Sequence, residues 1–197
     1  MDSRRLWRAA ILVSGGGTNA LNLLRASRAG EIPVVVAAVI AHRADIPAVE
    51  RCRSIGVEPI IVTLPPGDEA SDAIDAALRS VGTELVLLAG YLRYFRVGPW
   101  GGRTLNIHPA LLPSFGGRGM FGEQVHAAVL QRGERESGCT VHFVDHEYDH
   151  GATLVQRRVP VLDADTPRTL AARVQQEESA AYCEAIRLWA SRQQAHA

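Results

Sequence analysis

The stretch AAILVSGGGTNALNLL, residues 9–24, decides the fold. It opens on an uninterrupted apolar run, passes through three consecutive glycines, and then repeats apolar side chains at Ala20, Leu21, Leu23 and Leu24. An unbroken apolar run suits a strand buried on both faces of a parallel sheet. The spacing that follows suits one face of a helix. Residues 9–13 therefore read as a strand, 14–17 as a turn and 18–27 as a helix. Outward from there the alternation repeats. Residues 34–40 form a β-branched run expected to be a strand, 46–55 a helix ended by Gly56, 59–62 a short strand, 71–81 a helix and 84–89 another buried strand. That order predicts βαβ units and an α/β fold with a doubly wound, Rossmann-like, mostly parallel sheet flanked by helices.

The second half changes character. Residues 104–107 read as a short strand, 116–122 as a glycine-rich loop and 125–131 as a helix. Residues 139–144 and 153–159 read as strands joined by an eight-residue connection, an antiparallel pair. Thr166-Pro167 marks a helix start, with a side-chain cap and proline at the first helical position, and the helix is expected to reach about residue 192. Without a linker, repeat or low-complexity segment, residues 1–197 read as one domain.

Composition removes several function classes. With 47% apolar residues the chain is not of the disordered type. Its 21 basic and 21 acidic residues balance, which argues against broad nucleic-acid binding. Every basic side chain is arginine, so amine or Schiff-base catalysis by lysine is excluded. Cys52, Cys139 and Cys183 are odd in number and lack CxxC spacing, which fits a reducing cytoplasm rather than a disulfide framework. The apolar run at residues 9–13 is too short for a leader and flows into the glycine loop. No apolar run is long enough to span a membrane.

The glycine loop follows a strand and opens a helix, where bare backbone and unpaired N–H groups receive anions. Gly15, Gly17 and Ala20 fit the dinucleotide fingerprint G-x-G-x-x-G/A. The acidic residue expected after the second strand is missing, and Ala41, His42 and Arg43 stand there instead. Arg43 could suit a 2′-phosphate, whereas Thr18 and Asn19 add donors suited to a mononucleotide phosphate. A merely tight turn is the plainer alternative, and the loop alone does not choose.

Further along, TLNIHPALLP (residues 104–113) sets Asn106 and His108 at alternating positions of a strand that Pro109 ends. An open α/β sheet places its site at such a carboxyl end. There an asparagine amide can donate to an oxyanion, and a histidine can act as base or as imidazolium donor. A turn held by asparagine and histidine hydrogen bonds is the alternative. In VDHEYDHGATL (residues 144–154), Asp149 is the carboxylate expected to orient such a histidine and raise its pKa, with Asp145 its local rival. His142, His146 and His150 recur every four residues, but the strand character of the segment disfavours a shared metal face, so no metal is expected. In the last helix, Leu170, Val174, Ala181, Ala185 and Leu188 share a face that also takes in Glu178. A carboxylate there needs either an arginine partner or ligand hydroxyls.

Together these pieces resemble the folate-dependent formyltransferases. The matching stretches are ILVSGGGTNALNLL, LVLLAGYLRYF, RTLNIHPALLPSF, SGCTVHFVDHEYDHGATLVQ and DTPRTLAARVQQEESAAY, in the family's order over nearly the whole chain. The NIHP-x-LLP stretch with its downstream D-x-G loop is specific to the superfamily, and the glycine loop points to the glycinamide ribonucleotide branch. The resemblance implies a nucleotide-binding N-terminal half and a catalytic, folate-binding C-terminal half. It implies 10-formyltetrahydrofolate as donor, glycinamide ribonucleotide as acceptor in purine synthesis, no metal, and a monomer or homodimer. By resemblance, Asn106, His108 and Asp149 are catalytic, and Gly17, Thr18 and Asn19 hold the 5′-phosphate. Glu178 contacts the ribose, and Pro109 is a further substrate-binding residue. Gly90, Tyr91, Leu92 and Arg93, with Val144, Asp145, His146, Glu147 and Tyr148, enclose the folate. Asp149 would hold His108 and raise its pKa during attack of the acceptor amine on the formyl carbon.

Three stretches depart from the pattern. RYFRVGPWGGRTLN (residues 93–106) has Gly-Pro-Trp-Gly-Gly where a fuller helix is common. PPGDEASD (residues 65–72) lacks a basic residue for a folate glutamate tail, and SFGGRGMFGEQVH (residues 114–126) is long, with Arg118 able to restore that charge or the loop able to act as a lid. Other readings remain: formyl transfer to an amino sugar, hydrolysis of the folate, an NADP-binding oxidoreductase using Gly15, Gly17, Ala20 and Arg43, or a non-catalytic nucleotide-binding module. The chain is expected to carry neither the added C-terminal domain used for tRNA nor the regulatory N-terminal domain of the hydrolase.

Overall fold

The computed structural model describes residues 5–195. The glycine loop sits where the opening stretch requires it, between strand β1 (Trp7–Val13) and helix α1 (Thr18–Arg28). The chain continues through β2 (Val34–Ala41), α2 (Pro47–Arg53), β3 (Ile60–Ile61), α3 (Asp68–Ser80) and β4 (Leu85–Leu88). It then forms β5 (Thr104–His108), α4 (Glu123–Gln131), β6 (Glu136–Phe143), β7 (Thr153–Pro160) and α5 (Pro167–Ala195). The strands make one seven-stranded sheet in the order β3-β2-β1-β4-β5-β6-β7. From β1 to β5 every neighbouring pair is parallel. Both β5–β6 and β6–β7 are antiparallel.

Alternation along each strand divides the core into two layers. Ala9, Ile11 and Val13 of β1, with Leu85 and Leu87 of β4, pack under α1, α2 and α5. Ala10 and Leu12, with Val86 and Leu88, face α3 and the segment after β4. Strands flanked by helices on both faces have no polar side, which is why their sequences read as continuous apolar runs.

The expected architecture holds, and the differences lie at element ends. Helix α3 begins at Asp68, three residues earlier than its apolar spacing indicates, because acidic Asp68 and Glu69 fill its first turn. Strand β6 likewise begins at Glu136, where Ser137 and Gly138 pair with β7. The Gly-Pro-Trp segment forms one 3-10 turn, Gly98–Trp100. Trp100 is buried in the second layer, and its indole N–H donates to Asp75 of α3 at 2.7 Å. Its ring plugs the second layer opposite α3. Thr166 caps α5 as read: the Thr169 N–H donates to its hydroxyl at 3.2 Å, and the Thr166 N–H donates to Thr169 Oγ1 at 2.9 Å. Leu188, placed on the apolar face by spacing, is exposed, and the buried stripe passes instead through Ile186, Trp189 and Ala190. Over 29 residues a stripe that is straight on paper drifts around the helix.

The strand order reverses between β1 and β4. The chain moves outward from β1 through β2 to β3, then returns to pair β4 with the other side of β1. At such a switch point the loops leaving the two strands diverge and open a crevice at their carboxyl ends. Ser14 bridges its base, its N–H donating to Gly90 O at 3.0 Å and its hydroxyl accepting the Leu92 N–H at 3.1 Å.

Candidate active site

The crevice is a cavity of about 1020 Å³. That is at the upper end for small-molecule sites, large enough for two ligands side by side. Its walls come from the glycine loop, the ends of β4 and β5, the 117–123 loop, the β6–β7 connection and α5. Of the site residues expected from sequence, Gly17, Thr18, Asn19, Gly90, Tyr91, Leu92, Arg93, Asn106, His108, Pro109, Val144, Asp145, Glu147, Tyr148, Asp149 and Glu178 all line it. His146 does not. It stands exposed at the apex of a turn that the Glu147 N–H closes onto Asp145 Oδ1 at 2.9 Å.

At the glycine-loop end, Gly17 has φ +78°, and a Cβ there would lie 2.6 Å from Ala48 Cβ of α2. Both conformation and packing demand glycine at this position. A Cβ on Gly15 would meet nothing within 4 Å, so its bareness is not required by packing and leaves the backbone open to the cleft. Glu178, on the apolar face of α5, is 7% exposed and accepts the Asn19 amide N–H at 2.8 Å. Its partner is therefore the loop itself rather than an arginine. Burial raises its pKa, and the Asn19 hydrogen bond opposes that rise only in part. Asn19 Oδ1 is buried without a partner, an acceptor held beside the cleft.

In the middle of the cleft, the alternation of β5 brings Asn106 and His108 to one side, and Asp149 reaches them from the β6–β7 connection. Asp149 has φ +56° and a side chain only 10% exposed. Its Oδ2 lies 3.3 Å from His108 Nδ1 and accepts the Gly117 N–H at 3.0 Å, while Oδ1 accepts the Asn106 amide N–H at 3.3 Å. Gly151 makes this approach possible, since a Cβ there would lie 1.9 Å from Phe143 O. Asp145, the sequence rival, is paired with His150 Nδ1 at 2.8 Å and takes no part.

Both ring nitrogens of His108 face acceptors: Nε2 meets Phe115 O at 2.7 Å, and Nδ1 meets Asp149. Only the imidazolium provides a proton for each. Burial nevertheless pushes the His108 pKa down, and Asp149 and the Phe115 carbonyl pull it back only partly. The expected net rise from Asp149 is thus outweighed by desolvation. Asp149 moves the other way. Burial raises its pKa, but the neighbouring His142 ring, the charge of His108 and the Gly117 N–H together hold it below the usual carboxylate range.

His142, which the sequence reading did not place in the site, lies opposite Asn106 in the β5–β6 register. Its Nδ1 hydrogen-bonds Phe143 O at 2.8 Å, so Nδ1 carries the proton. Its Nε2 then accepts the Asn106 amide N–H at 3.0 Å. Both Asn106 amide hydrogens are thus directed at acceptors, and an oxyanion would compete with Asp149 for one of them. His126 of α4 is also buried and lines the cleft, and burial lowers its pKa. The one signal for either histidine was a polar ring inside an apolar run. Of the cations near the cleft, Arg93 donates to Leu64 O at 2.7 Å and so brings its charge to the loop that lacks a basic residue. Arg43, the cation of the NADP reading, is paired with Asp45 at 2.8 Å and does not line the cleft. Among the described residues no group of three or more His, Cys, Asp or Glu side chains is placed to hold a metal ion.

A mostly parallel sheet thus carries a glycine loop at its switch point and an Asn-His-Asp cluster beside it. The Formyl transferase family profile matches residues 7–186, and the chain belongs to that family. More particularly, it is 41% identical over 187 residues to the chloroplastic phosphoribosylglycinamide formyltransferase of Arabidopsis thaliana, covering 91% of this chain and 64% of that protein. It is 33% identical to the phosphoribosylglycinamide formyltransferase of Haemophilus influenzae, covering 89% of this chain and 83% of that one. The crystal structure of glycinamide ribonucleotide transformylase 1 from Symbiobacterium toebii superposes with a TM-score of 0.87 at 40% identity, covering 94% of this chain and 88% of that one.

Proposed function

We propose that the protein transfers a formyl group from 10-formyltetrahydrofolate to the amine of glycinamide ribonucleotide, a step of purine synthesis. The observation that carries this reading is Asp149 joined to both His108 and Asn106 inside one cleft that reaches the glycine loop. The names of the relatives support the same acceptor. In this reading Gly17, Thr18 and Asn19 hold the 5′-phosphate, Glu178 accepts from the ribose, and Pro109 adjoins it. Gly90 to Arg93 and Val144 to Tyr148 flank the folate, with His146 at the rim.

The acceptor amine attacks the formyl carbon, and the carbonyl opens to a tetrahedral oxyanion. His108, protonated against Asp149, faces that charge, and Asn106 trades its long hydrogen bond to Asp149 for one to the oxyanion. Breaking the bond from carbon to the folate nitrogen releases the formamide, and the amine proton ends on the folate. Asp149 carries that proton between the two nitrogens, directly or through water. No metal enters this chemistry. A single chain holds all of these groups, so a monomer suffices for the step, whether or not it pairs as a homodimer. The free cysteines fit a cytoplasmic setting.

The test is an absorbance assay of folate deformylation with 10-formyl-5,8-dideazafolate. Turnover is expected with glycinamide ribonucleotide and not with an amino-sugar nucleotide. Turnover with the amino sugar alone, or tight NADPH binding without any turnover, would overturn the reading.

A further inference from the structure

The phosphate loop has neutral donors but no cation of its own. There is no acidic or basic side chain in the first turn of α1, and Asn19 of the loop is tied to a carboxylate, Glu178. A dianionic phosphate seated there meets N–H groups and one hydroxyl, with a carboxylate held one residue along the loop. The chain contains no lysine, so any permanently charged side chain that compensates must be an arginine.

Arg51 of α2 reaches the loop from outside the cleft. Its Nη1 donates to Thr18 Oγ1 at 3.2 Å and lies 4.0 Å from where a Cβ on Gly16 would stand. Its neighbour Arg53 is bound to Glu58, as Arg43 is to Asp45, but no ion pair ties Arg51 to a carboxylate among the described residues. A hydroxyl has one proton and two lone pairs. With Arg51 donating into a Thr18 lone pair, the Thr18 O–H is free to point into the cleft as a donor. The guanidinium meanwhile adds a full positive charge immediately behind Gly16 and Thr18.

We infer that Arg51 is a positioning residue that makes the cleft select a phosphorylated ribose. It acts through Thr18, by fixing the direction of that hydroxyl, and by supplying the cation the loop lacks. This rests on the proposed acceptor, and it assigns a basis for choosing the ribonucleotide over the same molecule without its phosphate.

The experiment compares kcat/KM for glycinamide ribonucleotide with that for the dephosphorylated riboside, in the parent protein and in Arg51→Gln and Arg51→Lys. Because each protein is measured on both acceptors, a loss of folded enzyme cancels in the ratio. In Arg51→Gln the ratio is expected to fall about 10- to 100-fold, the worth of one charge-assisted hydrogen bond. Arg51→Lys is expected to recover part of it, since an ammonium keeps the charge but not the fork geometry. An unchanged ratio in Arg51→Gln overturns the inference. Binding of ribose 5-phosphate, followed by calorimetry, separates this from the proposed activity. If the parent forms no product from the ribonucleotide, the functional reading fails on its own. Arg51 is then still decided by whether ribose 5-phosphate binds the parent and is lost in Arg51→Gln. Equal binding by both, or none by the parent, contradicts it.

Discussion

Replacing Asp149 by Asn keeps the side chain's shape and removes the charge that His108 Nδ1 faces at 3.3 Å. Two effects are expected. The rate falls by roughly 10²- to 10⁴-fold, the usual contribution of a positioned acid–base group. The pH profile also moves. Asp149 raises the His108 pKa against the lowering caused by burial, so removing it lets that pKa fall further. A step that needs the imidazolium is lost as pH rises through this pKa, and in Asp149→Asn the loss comes at lower pH than in the parent. A limb of kcat/KM at the same pH in both proteins would contradict the pairing. His142 is argued from its hydrogen bond to Asn106. His142→Leu leaves the fold and substrate affinity in place but frees the Asn106 amide, and kcat is expected to fall about 10²-fold. A kcat near the parent value would remove His142 from the site. At this scale the sequence pointed to three residues that the fold brings together, Asn106 and His108 as polar side chains at the end of a strand and Asp149 as a loop carboxylate able to orient a histidine. It did not show that Asn106 is directed at His142 and Asp149, because that depends on the antiparallel β5–β6 register, which local pattern does not encode.

Among the elements, the glycine loop and the short segment after β4 make separable predictions. Gly17→Ala places a methyl 2.6 Å from Ala48 Cβ at φ +78°. It is expected to cost about 1–3 kcal/mol in denaturant unfolding and to weaken substrate binding, as α2 is pushed from the loop. Gly15→Ala meets no protein atom within 4 Å and should leave stability nearly unchanged. Equal stability loss in both variants would refute the packing argument. Trp100→Ala should cost about 3–5 kcal/mol, since it empties a core position and strands Asp75 without its indole donor. A loss under about 1 kcal/mol would mean the ring is not the plug described. Strand and helix identities were legible because apolar periodicity is a local property. Helix α3 shows the limit. Its first turn is polar, so spacing alone started it late. The role of Trp100 was hidden for a related reason, since its place opposite α3 is a tertiary fact.

For the whole molecule, the decisive feature is the reversal of strand order at β1 and β4. It brings a loop from the first twenty residues, a strand end near residue 106 and a connection near residue 149 to one cavity. The βαβ alternation made this topology readable, and with it the end of the sheet on which the site lies. The choice among cleft-bound chemistries was not readable from topology, since the glycine loop alone fits a dinucleotide as well as a mononucleotide. The pairing of Arg43 with Asp45, away from the cleft, weighs against the dinucleotide reading. What most directly tests formyl transfer at this cleft is the fate of a carbon-13 label in the donor's formyl group. With glycinamide ribonucleotide present, the label is predicted to appear as a formamide on the acceptor, and to stay on the donor when His108 is replaced by Ala. Label released as free formate, or transferred equally well by His108→Ala, would contradict the account.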